Sequence, residues 1–341
     1  LEGFVYAVTP FNFTSIAANL PSAPALMGNV AIWKPSESSM LSNYYLMKLM
    51  EEAGLPPGVI NFVPGDPVGI TGQLLGSEDF AGLHFTGSTN VFRHLWKQIA
   101  DGLDGYRSYP RIVGETGGKD FIFAHESADI ETLVVAALRG AYEFQGQKCS
   151  AASRMYVPDT IWPEFRDRLV AEMAQITMGD PADWSNFMGA VIHEGSYDKL
   201  AGFVERAKTG AKVIAGGNPS KEQGWFIDPT LIECEDPQYE TMSTELFGPV
   251  LSVHVYDANK LDDALALCDA TGPYALTGAI FARDRTVSES MATALRHAAG
   301  NFYINDKPTG AVVNQQPFGG GRASGTDDKA GAPQNLLRWL A

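Results

Sequence analysis

The sequence predicts an α/β protein: a parallel, dinucleotide-type sheet followed by a second α/β unit. Two observations carry this. In the first third, short runs rich in β-branched and aromatic residues alternate with stretches that repeat apolar residues at helical spacing. The intervals between those runs are too long for hairpins, so they imply parallel pairing through right-handed crossovers.

The elements follow in order. Gly3 to Val8 reads as a strand, and Asn29 to Trp33 as a buried one. A helix is expected from about Met40 to Ala53, where Leu41, Tyr45 and Leu49 recur every four residues beside Leu46 and Met50; Gly54 and Pro56-Pro57 stop it. Val59 to Val63 is a second strand closed by Pro64-Gly65. A short helix (Val68 to Leu75), a strand (Leu83 to Phe85) and a helix (Thr89 to Ala100) come next. Near residue 116 a second unit begins. It holds a helix from Ile130 to Phe144, a strand at Met155 to Val157, and helices at Trp162 to Ile176 and Tyr197 to Thr209. Strands at 250–255 and 277–281 then alternate with helices at 261–268 and 287–297.

The 341 residues suffice for two domains and a large core, and 45% hydrophobic with 19% charged content is that of an ordinary globular protein. A formal net charge of −15 argues against nucleic-acid and anionic-membrane partners, which attract basic surfaces. No apolar run approaches the roughly 20 residues that cross a bilayer. Three scattered cysteines (Cys149, Cys234, Cys268) give neither a disulfide framework nor a zinc pattern, and point to a reducing compartment. The six histidines show no metal-ligand spacing, so no metal is expected.

Several short stretches can carry chemistry. Cys149 lies between Lys148 and Ser150 after a helix and a glycine turn. It is either an inert buried thiol or a nucleophile whose pKa a nearby cation lowers. Phe85-Thr86-Gly87-Ser88 ends a strand and opens a helix; its N–H groups suit a pyrophosphate, while Ser88 or Thr89 also suits a plain helix cap. No G-x-G-x-x-G occurs, because Gly319-Gly320-Gly321 meets Ser at 324. Lys34, Ser36 and Glu37 lie at a strand end, fit for ribose hydroxyls or simply solvated. Asn12 caps the next helix or donates to an oxyanion. Glu115, before Gly117-Gly118, is a general base in an apolar setting or an ion-pair partner, for instance of Lys119. Glu245 and Phe247 precede a strand, suited to a ribose and a flat ring.

The ordered set PFNF, KPSE, FTGS, GETGGK, GQKCSA and ELFGPV resembles the aldehyde dehydrogenase superfamily, over nearly the whole chain from Pro10 to Gly325. The resemblance implies an aldehyde dehydrogenase-like α/β fold: a Rossmann-type cofactor domain over 1–116, a catalytic domain over 117–325 and a return segment over 326–341. It implies NAD as cofactor and an aldehyde as substrate. Cys149 is then the nucleophile, Asn12 the oxyanion donor and Glu115 the base that activates water. Lys34 and Glu37 would meet the adenine ribose, Ser88 the pyrophosphate, and Glu245 and Phe247 the nicotinamide end, with Ser36, Thr86, Gly87 and Gly117 also against the cofactor.

Within the superfamily, HLWKQ, GNFYINDK and QQPFGG running into RASGT resemble the 1-pyrroline-5-carboxylate dehydrogenases, which oxidise glutamate γ-semialdehyde in proline degradation. That implies Ser150, Gly310 and Ala311 at the substrate's carboxylate and amino group, and Phe13 and Phe318 along its aliphatic chain. It also implies a homo-oligomer for the full-length family, a functional link to proline dehydrogenase, and either bacterial cytoplasm or mitochondrial matrix. The family extends on both sides of this chain, so the chain is expected to be a fragment. Two other readings stand beside this one: another semialdehyde dehydrogenase, which the INDKPTG stretch and Glu115 disfavour, and a non-catalytic homologue.

Overall fold

The computed structural model describes residues 1–312 and 315–341. Phe4-Val5-Tyr6-Ala7-Val8 forms β1 (Phe4–Val8), the middle strand of a five-stranded sheet. The chain then adds α1 (Thr14–Leu26), β2 (Val30–Lys34), α2 (Met40–Glu52), β3 (Ile60–Phe62) and α3 (Pro67–Leu75). It crosses back to β4 (Phe80–Thr86), α4 (Thr89–Asp101) and β5 (Arg111–Glu115). The strand order is β3-β2-β1-β4-β5, and every pair is parallel. Chain direction thus reverses between β1 and β4, the switch point where open α/β sheets take ligands at the carboxyl ends of their strands.

Helix α2 carries apolar residues on more than one face. Leu41, Tyr45 and Leu49 are 68%, 64% and 62% exposed, while Asn43 and Met47 are buried. The helix turns Met47, with Leu46 and Met50 partly buried, toward Trp33 and Ile60. Trp33 is fully buried, and its indole donates to Thr9 Oγ1 at 2.9 Å, which ties the loop after β1 to β2.

The second unit comprises β6 (Asp120–Ala124), α5 (Ile130–Tyr142), β7 (Ala152–Pro158), α6 (Trp162–Met173) and α7 (Glu194–Gly210). Next come β8 (Lys212–Ala215), the two-residue β9 (Pro219–Ser220) and β10 (Phe226–Ile227), β11 (Thr230–Glu233), α8 (Glu240–Ser243) and β12 (Val250–Tyr256). It closes with α9 (Leu261–Ala270), β13 (Tyr274–Ala275), β14 (Thr277–Phe281), α10 (Arg285–Ala294) and β15 (Asn301–Ile304). Its main sheet runs β15-β14-β6-β7-β12-β11-β8, parallel except for β8 against β11. Alternate residues of β6 and β7 feed two separate apolar clusters. Phe121, Phe123 and Tyr156 face one; Ile122, Met155 and Val157 face the other. A sheet covered on both faces explains why these strands are apolar throughout.

The compact units are Leu1–Gly117 with Ala311–Ala341, and Gly118–Gly310. The chain therefore rejoins the first unit at Ala311, where the sequence predicts a return at 326. The returning segment, with β16 (Gly321–Arg322) and α11 (Pro333–Leu337), is stitched to β5 by backbone bonds: Thr116 N donates to Ser324 O at 2.8 Å and Thr326 N to Gly114 O at 2.9 Å. Trp339, fully buried, joins Val5, Ala23 and Val113 in a small cluster.

Candidate active site

Parallel pairing gathers four of the sequence motifs on the carboxyl edge of the five-stranded sheet. The loop after β1 holds Asn12 and Phe13, the loop after β2 holds Lys34 to Glu37, the loop after β4 holds Gly87 and Ser88, and β5 ends on Glu115. Backbone bonds tie neighbouring loops: Thr9 N donates to Lys34 O at 3.2 Å and Gly87 N to Glu115 O at 3.2 Å. Asn12 is buried, but the N-cap of α1 is Phe13 with no side-chain cap, so Asn12 does not serve as the cap. Ser88 does cap α4, its Oγ accepting the Val91 N–H at 3.3 Å. A Cβ on Gly87 would come within 2.7 Å of the Phe85 ring, so this turn is built for glycine.

Lys34 is buried, and burial lowers its pKa, while the charges of Glu37 and Asp66 act the other way. Glu115 is half-buried as a residue, but its carboxylate end is enclosed: Oε1 has no hydrogen-bond partner among the described residues. Burial pushes its pKa up to about 8, against the lowering charge of Lys329 and with the raising charge of Asp327. A carboxyl group in that range can hold and release a proton near neutrality.

In the second unit, the motifs lie at the amino edge of the seven-stranded sheet. Gly118 and Lys119 precede β6, Cys149 and Ser150 precede β7, and Glu245 and Phe247 precede β12. The turn that delivers Cys149 is strained: Phe144, Gln145 and Gly146 have φ of 54°, 57° and 63°. A Cβ at Gly146 would meet the Gly248 carbonyl oxygen at 2.4 Å, so only glycine closes this turn. The side chains of Gln145 and Gln147 pin it outside, to Ala190 O at 3.2 Å and from Ile192 N at 2.9 Å. Cys149 itself is 9% exposed. The charge of Lys148 does not stand alone beside the thiol. Its Nζ pairs with Glu143 at 2.8 Å, and Glu143 also binds Arg139.

Ser150 Oγ and Thr309 Oγ1 share a buried hydrogen bond of 2.8 Å, which fixes the cysteine turn against the stretch ending at Gly310. Gly310 has φ of 90°, and a Cβ there would lie 3.7 Å from Cε and Nζ of Lys307. Phe13 and Phe318 are both half-buried, and Phe318 pairs with Ala330 in an antiparallel bridge. Gly118 N donates to the Glu245 carboxylate at 3.0 Å, and burial raises the Glu245 pKa. A small recess there is lined by Gly118, Lys148, Ser153, Glu245 and Phe247.

Sequence reasoning missed the polar cluster beneath this recess. Lys119, Asp120 and Arg154 are all buried. Arg154 donates to Lys119 O at 2.7 Å and to Tyr156 OH at 3.1 Å, and Asp120 Oδ1 accepts from Thr277 N at 2.7 Å. Only the rarity of charged residues inside an apolar strand pair could have flagged it. Gly118 connects this cluster to the nucleophile's turn: a Cβ there would meet Asp120 Oδ2 at 2.4 Å and the Cys149 carbonyl oxygen at 2.7 Å. Gly118→Ala is therefore expected to cost about 1–3 kcal/mol of stability and to change the rate of Cys149 alkylation. Thermal unfolding and iodoacetamide labelling check this; wild-type values in both would contradict it.

Among the described residues, no group of three or more His, Cys, Asp or Glu could hold a metal ion, and no helix is long and apolar enough to cross a membrane.

The aldehyde dehydrogenase family model matches residues 2–340. The mitochondrial delta-1-pyrroline-5-carboxylate dehydrogenase of Dictyostelium discoideum is 53% identical over 345 residues, covering 100% of this chain and 62% of that protein. The enzyme of the same name from Homo sapiens is 50% identical over 344 residues, covering 100% and 61%. Among solved structures, the NAD-bound delta-pyrroline-5-carboxylate dehydrogenase of Mycobacterium tuberculosis superposes with a TM-score of 0.95 at 51% identity, covering 100% of this chain and 63% of that one. Proline Utilization A of Bradyrhizobium japonicum matches with a TM-score of 0.92 at 30% identity, covering 99% of this chain and 34% of that one. The chain thus spans just over three-fifths of the length of its curated relatives. With the ordered motifs and both sheets in agreement with the match, the chain belongs to the aldehyde dehydrogenase family.

Proposed function

We propose that this chain carries the catalytic and cofactor-binding residues of an NAD-dependent dehydrogenase that converts L-glutamate γ-semialdehyde, the open form of 1-pyrroline-5-carboxylate, to L-glutamate. The observation that carries the reading is the match along 100% of the chain, at 51% identity, to a protein named for pyrroline-5-carboxylate and bound with NAD.

The donors present fit a dinucleotide. Lys34 offers a buried ammonium near Glu37, the α4 N-terminus offers N–H groups beside a glycine that admits close approach, and Gly118 fixes the Glu245 carboxylate. Lys34, Ser36 and Glu37 would hold the adenine ribose; Thr86, Gly87 and Ser88 the pyrophosphate; and Gly117, Glu245 and Phe247 the nicotinamide end. Bound there, NAD supplies a hydride acceptor.

The chain's own residues do the rest. The Cys149 sulfur bonds to the aldehyde carbon, and the carbonyl oxygen gains negative charge that the Asn12 amide and the Cys149 N–H stabilise, each such donor contributing about 2.7–4 kcal/mol. Loss of hydride from that carbon leaves a thioester on Cys149. Glu115 takes a proton from water, whose oxygen displaces the sulfur and releases the acid. Ser150, held by Thr309, would meet the substrate carboxylate with N–H groups at Gly310 and Ala311, and Phe13 and Phe318 would flank the methylene chain. This binds a carboxylate without a buried cation.

Since a carboxylate at position 37 opposes a 2′-phosphate, NAD is expected over NADP. Glu37→Gln should raise relative use of NADP roughly 10-fold. Steady-state rates with both cofactors check this, and equal use of both by the wild type would contradict it. A proline-oxidising enzyme would supply the substrate, as the match to Proline Utilization A suggests, and self-association into a homo-oligomer belongs to the same proposal. Substrate-dependent reduction of NAD with pyrroline-5-carboxylate is the direct test.

A further inference from the structure

The turn that carries Cys149 is closed by a cluster of charges that takes no part in the proposed reaction. Helix α5 ends at Tyr142, and Glu143 is its C-cap residue, its N–H donating to Arg139 O. An acid is the wrong charge there, because the carboxyl end of a helix carries partial negative charge and favours cations. Glu143 therefore weakens the helix that it ends, and its place has another cause. Its carboxylate is held from both sides. Oε1 takes the guanidinium of Arg139, one helical turn back, and Oε2 lies 2.8 Å from Nζ of Lys148, five residues on.

Between the two ends of the Glu143–Lys148 pair lies the left-handed stretch Phe144-Gln145-Gly146. Phe144 and Gln145 are not glycines, so released from the turn they would relax to right-handed or extended backbone. The pair spans this stretch as a brace. It is also sheltered: the Lys148 and Glu143 side chains are 11% and 19% exposed, against 92% and 67% for the surface pair of Arg285 and Glu289. An exposed pair contributes little, whereas breaking a partly desolvated one leaves a charge without its partner. Lys148 lines the recess with Gly146, Glu245 and Phe247, and the pair turns its ammonium toward the end of α5. Cys149 follows directly, and the chain beyond it is fixed by Ala151 N on Lys148 O at 3.1 Å and by Ser150 against Thr309.

We propose that Glu143 is a positioning residue for Cys149. Acting through Lys148, its carboxylate holds the left-handed turn shut, so that the Cys149 sulfur and N–H keep one orientation; Arg139 holds the carboxylate on α5. The inference deepens the reading of Cys149 as nucleophile and rests on it. The sulfur that attacks a carbonyl and the N–H that receives the oxyanion belong to one residue, so a single backbone orientation must serve both. Gln145 and Gln147 pin the flanks of the turn through neutral bonds, while the Glu143–Lys148 pair joins its two ends.

The test compares wild type with Glu143→Gln, Lys148→Met, Lys148→Arg and the double variant Glu143→Gln/Lys148→Met. Two readouts need no turnover: hydrogen exchange of the amides of residues 144–149, and alkylation of Cys149 by iodoacetamide, with Cys149→Ser as the blank. Glu143→Gln and Lys148→Met should each speed both about 10-fold, while exchange along α5 and β7 stays at wild-type rates. Lys148→Arg keeps the cation and should stay within about 2-fold of wild type. The double variant should match either single one, since both remove the same contact. Additive effects of the two substitutions, a Lys148→Arg variant as fast as Lys148→Met, or wild-type rates in Glu143→Gln would overturn the proposal. Faster exchange spread through α5 and β7 would make the pair a general stabiliser and overturn it equally. Where pyrroline-5-carboxylate is turned over, Glu143→Gln should slow the first formation of reduced cofactor about 10-fold with the Kd for NAD unchanged. A wild-type chain that turns over no aldehyde, beside the expected exchange and alkylation pattern, would refute the dehydrogenase reading and leave Glu143 as the brace of the thiol.

Discussion

On the proposed reading, Cys149→Ser is expected to lower aldehyde oxidation by at least about 10⁴-fold while NAD still binds with wild-type affinity. The loss follows from chemistry: a serine hydroxyl is a far weaker nucleophile than a cysteine sulfur, and no hydride can leave until the carbonyl carbon has become tetrahedral. Retained binding follows from location. The residues proposed to hold the cofactor are on other turns, and the cysteine turn is held by Gln145, Gln147 and the bond between Ser150 and Thr309, none of which uses the sulfur. Steady-state rates together with NAD titration by fluorescence check both halves. Loss of NAD binding along with activity would make Cys149 a packing residue.

On the same reading, Glu115→Gln should separate the two halves of the reaction. The first turnover, which forms the thioester, is expected to persist, while steady-state release of the acid falls about 10²–10⁴-fold. Rapid mixing should show a burst of reduced cofactor followed by a slow phase; loss of the burst itself would assign Glu115 a different role. The same substitution has a stability signature whose sign is fixed. Wild-type Glu115 has its pKa raised by burial to about 8 in the fold, from the ordinary 4.5 of a free glutamate side chain. Between those values the folded state keeps the proton that the unfolded state has lost, so the wild-type contribution to stability falls as pH rises, by up to about 1.4 kcal/mol per pH unit. Glutamine has no such term. The variant should therefore gain on the wild type through this window and reach a constant advantage above it, visible in denaturant midpoints across pH.

The parts of this molecule that were legible in the sequence are those written in short range. A strand that ends in Phe-Thr-Gly-Ser, or one that ends in Trp-Lys-Pro-Ser-Glu, announces its loop chemistry locally, and parallel pairing then delivers those loops to one edge. What was not legible depends on partners distant in sequence. The charges acting on Glu115 come from Asp327 and Lys329, more than 200 positions away, and no periodicity announces them. Thr309 reaches Ser150 across 159 positions. The strands β8 to β11 are two to four residues long, too short for an alternation pattern to register. On α2, a helix with apolar residues on more than one face, spacing could not say which stripe met Trp33. The role of Ser88 was open because a helix cap and a phosphate site use the same residue types. The cap is formed here, and it leaves the N–H groups of the turn as the cofactor's proposed partners.

On the proposed reading, Cys149 and Glu115 serve the oxidation of a carboxylate-bearing semialdehyde at the expense of NAD. The most direct measurement is reduced-cofactor formation by the folded chain with pyrroline-5-carboxylate, set beside succinate semialdehyde and repeated with and without coenzyme A. Faster turnover of pyrroline-5-carboxylate, no requirement for coenzyme A, and glutamate as the product are expected. A folded, NAD-binding chain that turns over neither aldehyde, or that prefers succinate semialdehyde, would contradict it.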